Sequence, residues 1–187
     1  MKKNICTFGS YKEIDCLARE EILKLGVLLA QNGYTVVSGG FGGTMEDISR
    51  GAKSVGGKTI GVTYYKDGKR LGKRANAYID EEIVASDIFE RIKLMMEKSD
   101  AFVVFPGGTG TLLELAALFE YMNKGFMDFK PVIMMGQYWR PVIEVLRPEP
   151  LLNMAIAREN GFLNCADLVT FVSSAQEAME ELIKKGN

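Results

Sequence analysis

The chain has 187 residues, 47% of them hydrophobic, which is enough for one globular domain with a sizeable core over residues 1–187. Its 23 basic and 24 acidic residues give a formal net charge of −1, which excludes a strongly basic surface, and we expect no nucleic-acid partner. No apolar run approaches the ~18 residues that a membrane helix needs, so we also expect no membrane partner.

The chain contains no histidine. A Ser-His or Cys-His nucleophile, a His general base and a His-ligated metal are therefore excluded. The three cysteines, Cys6, Cys16 and Cys165, lack metal-binding spacing, and their odd number favours reduced thiols in a cytoplasmic protein. The first residues show no apolar signal-peptide segment, which also favours the cytoplasm. We predict no metal and no cofactor, with chemistry carried by carboxylates, Arg, Lys, Tyr, hydroxyls and backbone dipoles.

Short apolar runs alternate with helical patterns along the chain. In order, the predicted elements are strand Asn4–Phe8, helix Ile14–Asn32, strand Tyr34–Ser38, helix Thr44–Val55, strand Thr59–Thr63, a basic loop Tyr64–Asn76, strand Ala77–Val84, helix Asp87–Lys98, strand Ala101–Phe105, helix Thr109–Lys124, strand Pro131–Met135, helices Tyr138–Leu146 and Pro150–Glu159, strand Leu168–Val172 and helix Ala175–Lys185. This alternation predicts an α/β fold: a doubly wound, Rossmann-like parallel sheet with helices on both faces. Such sheets bind ligands beyond the carboxyl ends of their strands.

The most informative segment is Phe102–Glu114, FVVFPGGTGTLLE. A strand stops at Pro106, and a Gly/Thr turn leads into a helix. The turn glycines let backbone N–H groups approach a ligand, and the positive end of the helix dipole points to the same place, which suits a phosphate. The segment lacks the Lys of a P-loop and the spacing of a dinucleotide fingerprint, so it predicts a mononucleotide or sugar-phosphate site. The predicted contacts are Gly107, Gly108, Thr109, Gly110 and Thr111.

Two further strands end in small residues. Gly9 and Ser10 follow the first strand, where a single glycine is equally explained by a simple turn. Four glycines follow the second, Gly39, Gly40, Gly42 and Gly43, and they exceed what one turn requires. We therefore predict one shared phosphate or ribose site at which Gly9, Gly40 and Gly108 converge.

Arg91 and Glu114 stand out by position. Arg91 lies at the edge of the apolar stripe of its helix, where its head could simply extend into water. Glu114 lies in a helix that is apolar nearly all round, and a buried carboxylate there is either paired in a structural ion pair or faces a ligand. Its place near the N-terminus of the helix is expected to stabilise the ionised form.

The chain resembles the LONELY GUY family. The signature PGGxGTxxE is matched in full by Pro106, Gly107, Gly108, Gly110, Thr111 and Glu114, and the upstream Arg and Met of the family fall on Arg91 and Met95. In the second motif, GGGxxGLMG, Gly39, Gly40, Gly43 and Met45 match, whereas Ser38, Thr44 and Glu46 replace the usual residues. Phe89 and Ile92 stand at the family's His and Lys positions.

The resemblance implies a phosphoribohydrolase that splits a nucleoside 5′-monophosphate, such as AMP, into free base and ribose 5-phosphate. It implies Arg91 and Glu114 as catalytic residues, and the two glycine loops with Gly9, Ser10 and Met45 as the phosphate and ribose site. It also implies a homodimer. The alternative is a non-catalytic nucleotide-binding or molybdenum-cofactor carrier protein, since the superfamily contains such carriers. The label lysine decarboxylase, used for some members, finds no supporting pyridoxal-phosphate site in this sequence.

Overall fold

The computed structural model describes residues 3–12, 16–66, 69–70, 75–152, 157, 159 and 161–186. Within these residues, seven parallel strands form one sheet, and a short eighth strand pairs antiparallel with one of them. The strands are β1 (Asn4–Phe8), β2 (Thr35–Ser38), β3 (Lys58–Lys66), β4 (Lys69–Arg70), β5 (Glu81–Ala85), β6 (Ala101–Val104), β7 (Val132–Met135) and β8 (Val169–Val172). The prediction of an α/β fold with a parallel sheet is confirmed.

Helices cover both faces of the sheet. The helices are α1 (Cys16–Gln31), α2 (Thr44–Ser54), α3 (Ile88–Glu97), α4 (Thr109–Asn123), α5 (Arg140–Val145), a 3-10 helix (Cys165–Leu168) and α6 (Ala175–Gly186). Successive residues of β1 face opposite sides, because Ile5 packs with α1, α2 and α6 while Cys6 packs with α3 and α4. The central strands β2, β6 and β7 are buried throughout, as expected for parallel strands covered on both sides.

The strand order locates the ligand-binding edge. The parallel strands run β5-β3-β2-β1-β6-β7-β8, so the chain builds outward from β1 in one direction and then returns to β6 on its other side. This reversal between β1 and β6 is the topological switch point at which doubly wound sheets bind ligands. The loops after β1, β2 and β6 all leave the carboxyl edge there, and they contain the three predicted glycine turns.

The largest departure from the predicted elements is at the basic loop Tyr64–Asn76. Strand β3 continues to Lys66, and β4 pairs with it antiparallel through Tyr65 opposite Arg70. The predicted loop contains an Asp-Gly dipeptide at 67–68, which is typical of a hairpin turn and lies outside the described residues.

Two further predicted elements differ from the structure or are only partly described by it. The predicted strand Ala77–Val84 begins only at Glu81, because the side chain of Asn76 accepts a bond from Tyr78 N and turns the chain. Half of the residues of the predicted helix Pro150–Glu159 lie outside the described residues.

Candidate functional site

Two adjoining cavities open at the carboxyl edge of the sheet. The first, here called the loop cavity, has a volume of about 770 Å³. It is lined by Gly9, Ser10, Tyr11, Lys12, the segment from Pro106 to Thr111 and Tyr138. The second, here called the carboxylate cavity, has a volume of about 530 Å³. It is lined by Gly9, Tyr11, Phe41, Gly42, Met45, Tyr64, Ile88, Arg91, Gly110, Thr111 and Glu114. Four residues line both, so the cavities form one continuous site.

The N-terminus of α4 forms the wall of the loop cavity. Its N-cap residue, Gly108, provides no side-chain hydrogen bond, and the first intrahelical bond of the turn runs from Leu112 N to Gly108 O at 3.0 Å. The N–H groups of Thr109, Gly110 and Thr111 precede that bond and have no acceptor within the helix. An uncapped helix N-terminus of this kind binds anions through its N–H groups and its dipole.

The glycines of the α4 loop have two different surroundings. A Cβ at Gly107 would overlap the side chain of Thr111, whereas a Cβ at Gly108 or Gly110 would have no protein atom within 4 Å. Thr111 is 3% exposed and borders both cavities. Gly108 and Gly110 therefore leave open space on the cavity side that the protein itself does not fill.

Helix α3 holds Arg91 in the floor of the carboxylate cavity. The carboxylate of Asp87 caps this helix by accepting hydrogen bonds from Phe89 N at 2.7 Å and Glu90 N at 2.9 Å. One turn later, Arg91 is 7% exposed, and its Nε donates to the carbonyl oxygen of Val62 at 2.7 Å. The alternative that its head extends into water is excluded, because α3 points the guanidinium inward onto the middle of β3.

Arg91 and Glu114 form a buried ion pair. The distance from Arg91 Nη1 to Glu114 Oε1 is 3.3 Å, and Glu114 is 6% exposed. Burial raises the pKa of Glu114 to about 7, although the charge of Arg91 and its hydrogen bond act in the opposite direction. Desolvation of the buried charge is therefore larger than the stabilisation that Arg91 provides, and the stabilising effect of the end of α4 on the carboxylate stays a prediction.

The guanidinium of Arg91 is enclosed on several sides. Its central carbon lies 5.6 Å from the ring centre of Phe41 and 5.6 Å from that of Tyr64. Nη2 lies 3.8 Å from Met45 Sδ, a weak acceptor. A Cβ at Gly39 would overlap Nη2, so this glycine leaves the room that the guanidinium occupies.

Two more glycines of the loop after β2, Gly40 and Gly43, are packed against protein. Gly40 and Gly43 have positive φ angles of 75° and 66°. A Cβ on Gly43 would collide with the backbone of Ser10, and one on Gly40 would lie 3.0 Å from Thr63. Neither residue lines the loop cavity or the carboxylate cavity, and neither does Gly39, whereas Gly9 and Gly108 both line the loop cavity. The convergence of Gly9, Gly40 and Gly108 on one ligand stays a prediction.

Several lining residues were missed by sequence reasoning. Lys12 and Tyr138 line the loop cavity, Phe41 and Tyr64 line the carboxylate cavity, and Tyr11 lines both. Tyr11 and Lys12 directly follow the predicted Gly9-Ser10 turn, and Phe41 lies within the glycine motif. Their adjacency to glycine turns was the available signal. No such signal marks Tyr64, which lies in the predicted basic loop.

The described part of the chain contains neither a metal-binding cluster nor a membrane-spanning helix. No group of three or more Cys, Asp or Glu side chains there is arranged to hold a metal ion. None of the helices in the described ranges is both long enough and apolar enough to cross a membrane.

Comparison with known proteins gives consistent matches. The family model described as "Possible lysine decarboxylase" matches residues 45–182. A cytokinin riboside 5′-monophosphate phosphoribohydrolase of Mycobacterium tuberculosis is 37% identical over 120 residues, which cover 62% of this chain and 60% of that protein. A protein of the same name from Arabidopsis thaliana is 30% identical over 189 residues, covering 98% of this chain and 82% of its own length. The chain thus spans about 60% of the mycobacterial relative.

Among solved structures, the molybdenum cofactor binding protein of Rippkaea orientalis has the same fold. It matches with a TM-score of 0.75 over 100% of this chain and 99% of its own, at 22% identity. The family model and the Arabidopsis relative, together with the buried Arg91–Glu114 pair beside the α4 loop, show that this chain belongs to the LONELY GUY family.

Proposed function

We propose that this protein hydrolyses the N-glycosidic bond of a nucleoside 5′-monophosphate. The bond between the ribose C1′ and the base breaks, water supplies a hydroxyl to C1′ and a proton to the base, and the products are free base and ribose 5-phosphate. The observation that carries the proposal is the buried Arg91–Glu114 pair, which lines a cavity continuous with the uncapped end of α4.

The phosphate is assigned to the loop cavity. The N–H groups of Thr109, Gly110 and Thr111 supply donors in the positive field of the helix, and the Thr111 hydroxyl is buried in the same wall. Lys12 adds a cation to the lining. The absence of a Cβ at Gly108 lets the phosphate oxygens approach the backbone.

The ribose is assigned to the boundary between the two cavities. Thr111 and Glu114 are three residues apart on α4 and lie on the same face of the helix. A phosphate on the first turn therefore brings the sugar to the Glu114 carboxylate. Cleavage of an N-glycosidic bond passes through an oxocarbenium-like sugar, as in O-glycoside hydrolysis, and an ionised Glu114 stabilises that positive charge and positions the attacking water.

Arg91 has two tasks in the proposed reaction. Its Nε bond to Val62 O fixes the guanidinium, and its Nη1 bond orients Glu114. Arg91 also lines the carboxylate cavity, where its positive charge can stabilise negative charge on the departing base. No histidine is needed for any of these roles.

The test is Glu114→Gln. The amide keeps the shape of the side chain but cannot stabilise a cationic sugar, so we expect base release to fall about 10²–10³-fold while AMP affinity changes little. The measurements are chromatography of bases released from a panel of nucleoside monophosphates and calorimetric binding of AMP. A Glu114→Gln variant as active as the parent would refute the mechanism.

Two further variants separate catalysis from binding. Arg91→Ala should impair turnover, whereas Thr111→Ala should mainly raise KM, because a phosphate contact acts alike on ground state and transition state. A parent protein that binds AMP but releases no base from any nucleoside monophosphate would overturn the proposal. That result would favour a nucleotide-binding or molybdenum-cofactor carrier protein.

We further propose that the protein is a homodimer that pairs through the outer face of α4. Between Leu112 and Tyr121, the exposed and half-exposed residues of this helix carry a single charge, that of Glu120. They are Leu112, Leu113, Ala116, Ala117, Glu120 and Tyr121. An apolar helix face of this kind favours a second copy of the same surface.

Light scattering tests the dimer. The parent should have about twice the 20.7 kDa of one chain, and Ala116→Arg should shift it to the monomer. The matched control is Leu163→Arg, which places the same charge at a residue 66% exposed outside α4. A parent that remains a monomer at high concentration contradicts the proposal.

A further inference from the structure

We propose that Thr44 is a positioning residue for phosphate binding. Its hydroxyl holds residues 9–12, here called the β1 loop, in place as part of the lining of the loop cavity. The inference rests on the proposed function for the assignment of the phosphate to that cavity. It gives a role to a residue that stands where the motif GGGxxGLMG has leucine.

Helices α2 and α4 begin alike, but the N–H groups of their first turns have different surroundings. The N-cap residues, Gly43 in α2 and Gly108 in α4, provide no side-chain hydrogen bond. The first N–H groups of α4 have no acceptor within the helix and border the loop cavity. In α2, by contrast, Thr44 N donates to the carbonyl oxygen of Ser10 at 2.9 Å. The N-terminus of α2 therefore binds the backbone of the β1 loop, whereas that of α4 is open to a ligand.

The hydroxyl of Thr44 makes a second bond to the same oxygen. Thr44 Oγ1 donates to Ser10 O at 3.0 Å, and Thr44 is 1% exposed. Thr44 lines neither the loop cavity nor the carboxylate cavity, whereas Ser10 lines the loop cavity. The hydroxyl therefore acts on the site through the β1 loop, and a leucine side chain has no donor for this bond.

Two glycines leave the room that this contact occupies. A Cβ added to Gly9 would overlap Thr44 Oγ1, and one added to Gly43 would overlap Ser10 O. Gly9 lines both cavities, yet the place of its missing Cβ is taken by Thr44 rather than by open space. The close packing of the β1 loop on α2 thus explains why Gly9 is glycine.

The β1 loop ends in a cation of the loop cavity. Ser10 Oγ accepts a hydrogen bond from Lys12 N at 3.0 Å, so the residue whose carbonyl Thr44 holds also turns the chain at Lys12. Lys12 lines the loop cavity together with the first residues of α4. Through Ser10, the Thr44 hydroxyl thus sets where the lysine lies relative to the proposed phosphate.

Binding of ribose 5-phosphate tests this role without requiring turnover. Thr44→Val keeps the shape of the side chain without its donor, and Thr44→Ala removes the donor in a smaller residue. In calorimetry both should bind ribose 5-phosphate about three- to tenfold more weakly than the parent, as for the net loss of one hydrogen bond. Thr44→Ser keeps the hydroxyl and should stay within about twofold of the parent.

Kinetics and a double variant separate positioning from packing. In base release from AMP, Thr44→Val should raise KM and leave kcat unchanged, because a phosphate contact acts alike on ground state and transition state. Lys12→Ala should itself weaken ribose 5-phosphate binding. Adding Thr44→Val to Lys12→Ala should then cost less than about twofold more, since residues that act through one another have non-additive effects.

The matched control is Ser49→Ala. Ser49 is buried in the same helix, and its hydroxyl donates to Met45 O at 2.8 Å within α2 rather than to the β1 loop. This variant also loses a buried hydroxyl, and ribose 5-phosphate affinity should stay within about twofold of the parent.

Four outcomes overturn the inference. They are unchanged ribose 5-phosphate affinity in both Thr44→Val and Thr44→Ala, an equal loss in Ser49→Ala, full multiplication of the two losses in the double variant, and a parent that binds no ribose 5-phosphate. A parent that binds as expected but releases no base would refute the proposed function and leave the role of Thr44 supported. A parent that releases base while the Thr44 variants bind unchanged would do the reverse.

Discussion

The loops Gly39–Gly43 and Gly107–Gly110 leave the same edge of the sheet on either side of β1, and they differ in what surrounds their glycines. In the first loop, Gly39 makes room for Arg91, and Gly43 lies against the backbone of Ser10. In the second, Gly108 and Gly110 face open space at the end of a helix. Gly39 and Gly43 are therefore glycines where the protein is close, whereas Gly108 and Gly110 are glycines where no protein atom lies within 4 Å. Each loop has one exception, Gly42 in the first and Gly107 in the second.

The difference shows that glycine count alone does not locate a phosphate site. Where an added Cβ would overlap protein atoms, packing within the chain explains why the residue is glycine. Where an added Cβ would contact no protein atom, and the φ angle is one that other residues adopt, nothing within the chain explains the glycine. Gly108, with φ of −103°, is of the second kind. Substituting one glycine in each loop by alanine tests this distinction directly.

The largest effect is expected for Gly39→Ala. The methyl group would overlap Arg91 Nη2 and lie 2.6 Å from Met45 Sδ, so the guanidinium must leave its place beside Glu114. We expect turnover to fall about 10²-fold or more, and the free energy of unfolding to fall by about 1–3 kcal/mol from overpacking. Base-release assays and urea denaturation measure the two effects. Unchanged turnover would show that the position of Arg91 is not critical.

The same substitution in the other loop should act on binding alone. Gly108→Ala adds a methyl group where no protein atom lies within 4 Å, so the free energy of unfolding should change by less than about 0.5 kcal/mol. Affinity for ribose 5-phosphate should fall about tenfold to a hundredfold, as for the loss of a hydrogen bond to a charged group. Calorimetry and urea denaturation provide the measurements. A stability loss as large as that of Gly39→Ala would remove the distinction between the loops.

The pH dependence of turnover tests whether the reaction needs the ionised form of Glu114. Because burial raises the pKa of Glu114 to about 7 and the proposed reaction needs the carboxylate, kcat/KM should fall about tenfold per pH unit below 7 and level off above it. Glu114→Gln should have little activity and no such slope. A parent profile that is flat between pH 5.5 and 8 contradicts a carboxylate requirement.

A rise in pH should increase turnover through Glu114 but should decrease the contribution of Glu114 to the free energy of unfolding. In the folded protein the pKa of Glu114 is about 7, whereas in the unfolded chain the group loses its proton near the ordinary glutamate pKa of 4.5. Between these values the folded state binds more protons, so this contribution to stability is fully present below pH 4.5 and is lost as the pH rises to 7. Urea denaturation of the parent and of Glu114→Gln across this range measures the difference in slope.

The smallest effect is expected for Gly42→Ala, the exception within the first loop. The nearest protein atom to an added Cβ is 3.8 Å away, and this glycine borders the carboxylate cavity. Stability should stay within about 0.5 kcal/mol of the parent. AMP affinity should change only a few-fold, because the phosphate is assigned to the other loop. A loss as large as that of Gly108→Ala would mean that both loops contact the phosphate.

The alternating pattern was sufficient to predict the parallel sheet. The PGGTGT turn and the helix patterns indicated the carboxyl-edge site with Arg91 and Glu114, whose roles stay predictions. These features depend on periodicity and on local turn chemistry, both of which are present in the sequence. The Arg91–Glu114 contact joins residues 23 positions apart. From the sequence, an ion pair was only one of two roles that could be proposed for Glu114.

What could not be predicted depends on three-dimensional neighbours. Nothing local to Gly39 shows that Arg91 will fill the space beside it, and nothing local to Tyr64 shows that β3 extends far enough to bring its ring to the cavity. The pKa of Glu114 depends on the balance between burial and one distant charge. Such quantities become available only when the packing of α3, α4 and β3 is known.

Helix α4 also fixes a length. Thr111 and Glu114 belong to one rigid helix and are separated by about 4.5 Å along its axis, so the spacing between the proposed phosphate contact and the carboxylate cannot adjust to the ligand. Under the proposed function, the site therefore selects ligands by the distance between their phosphate and C1′. A nucleoside 3′-monophosphate with the same base, sugar and charge would place C1′ at a different distance from its phosphate and would be bound without alignment to Glu114. Positional isomers of one nucleotide are thus distinguished by backbone geometry rather than by any side chain that contacts the base.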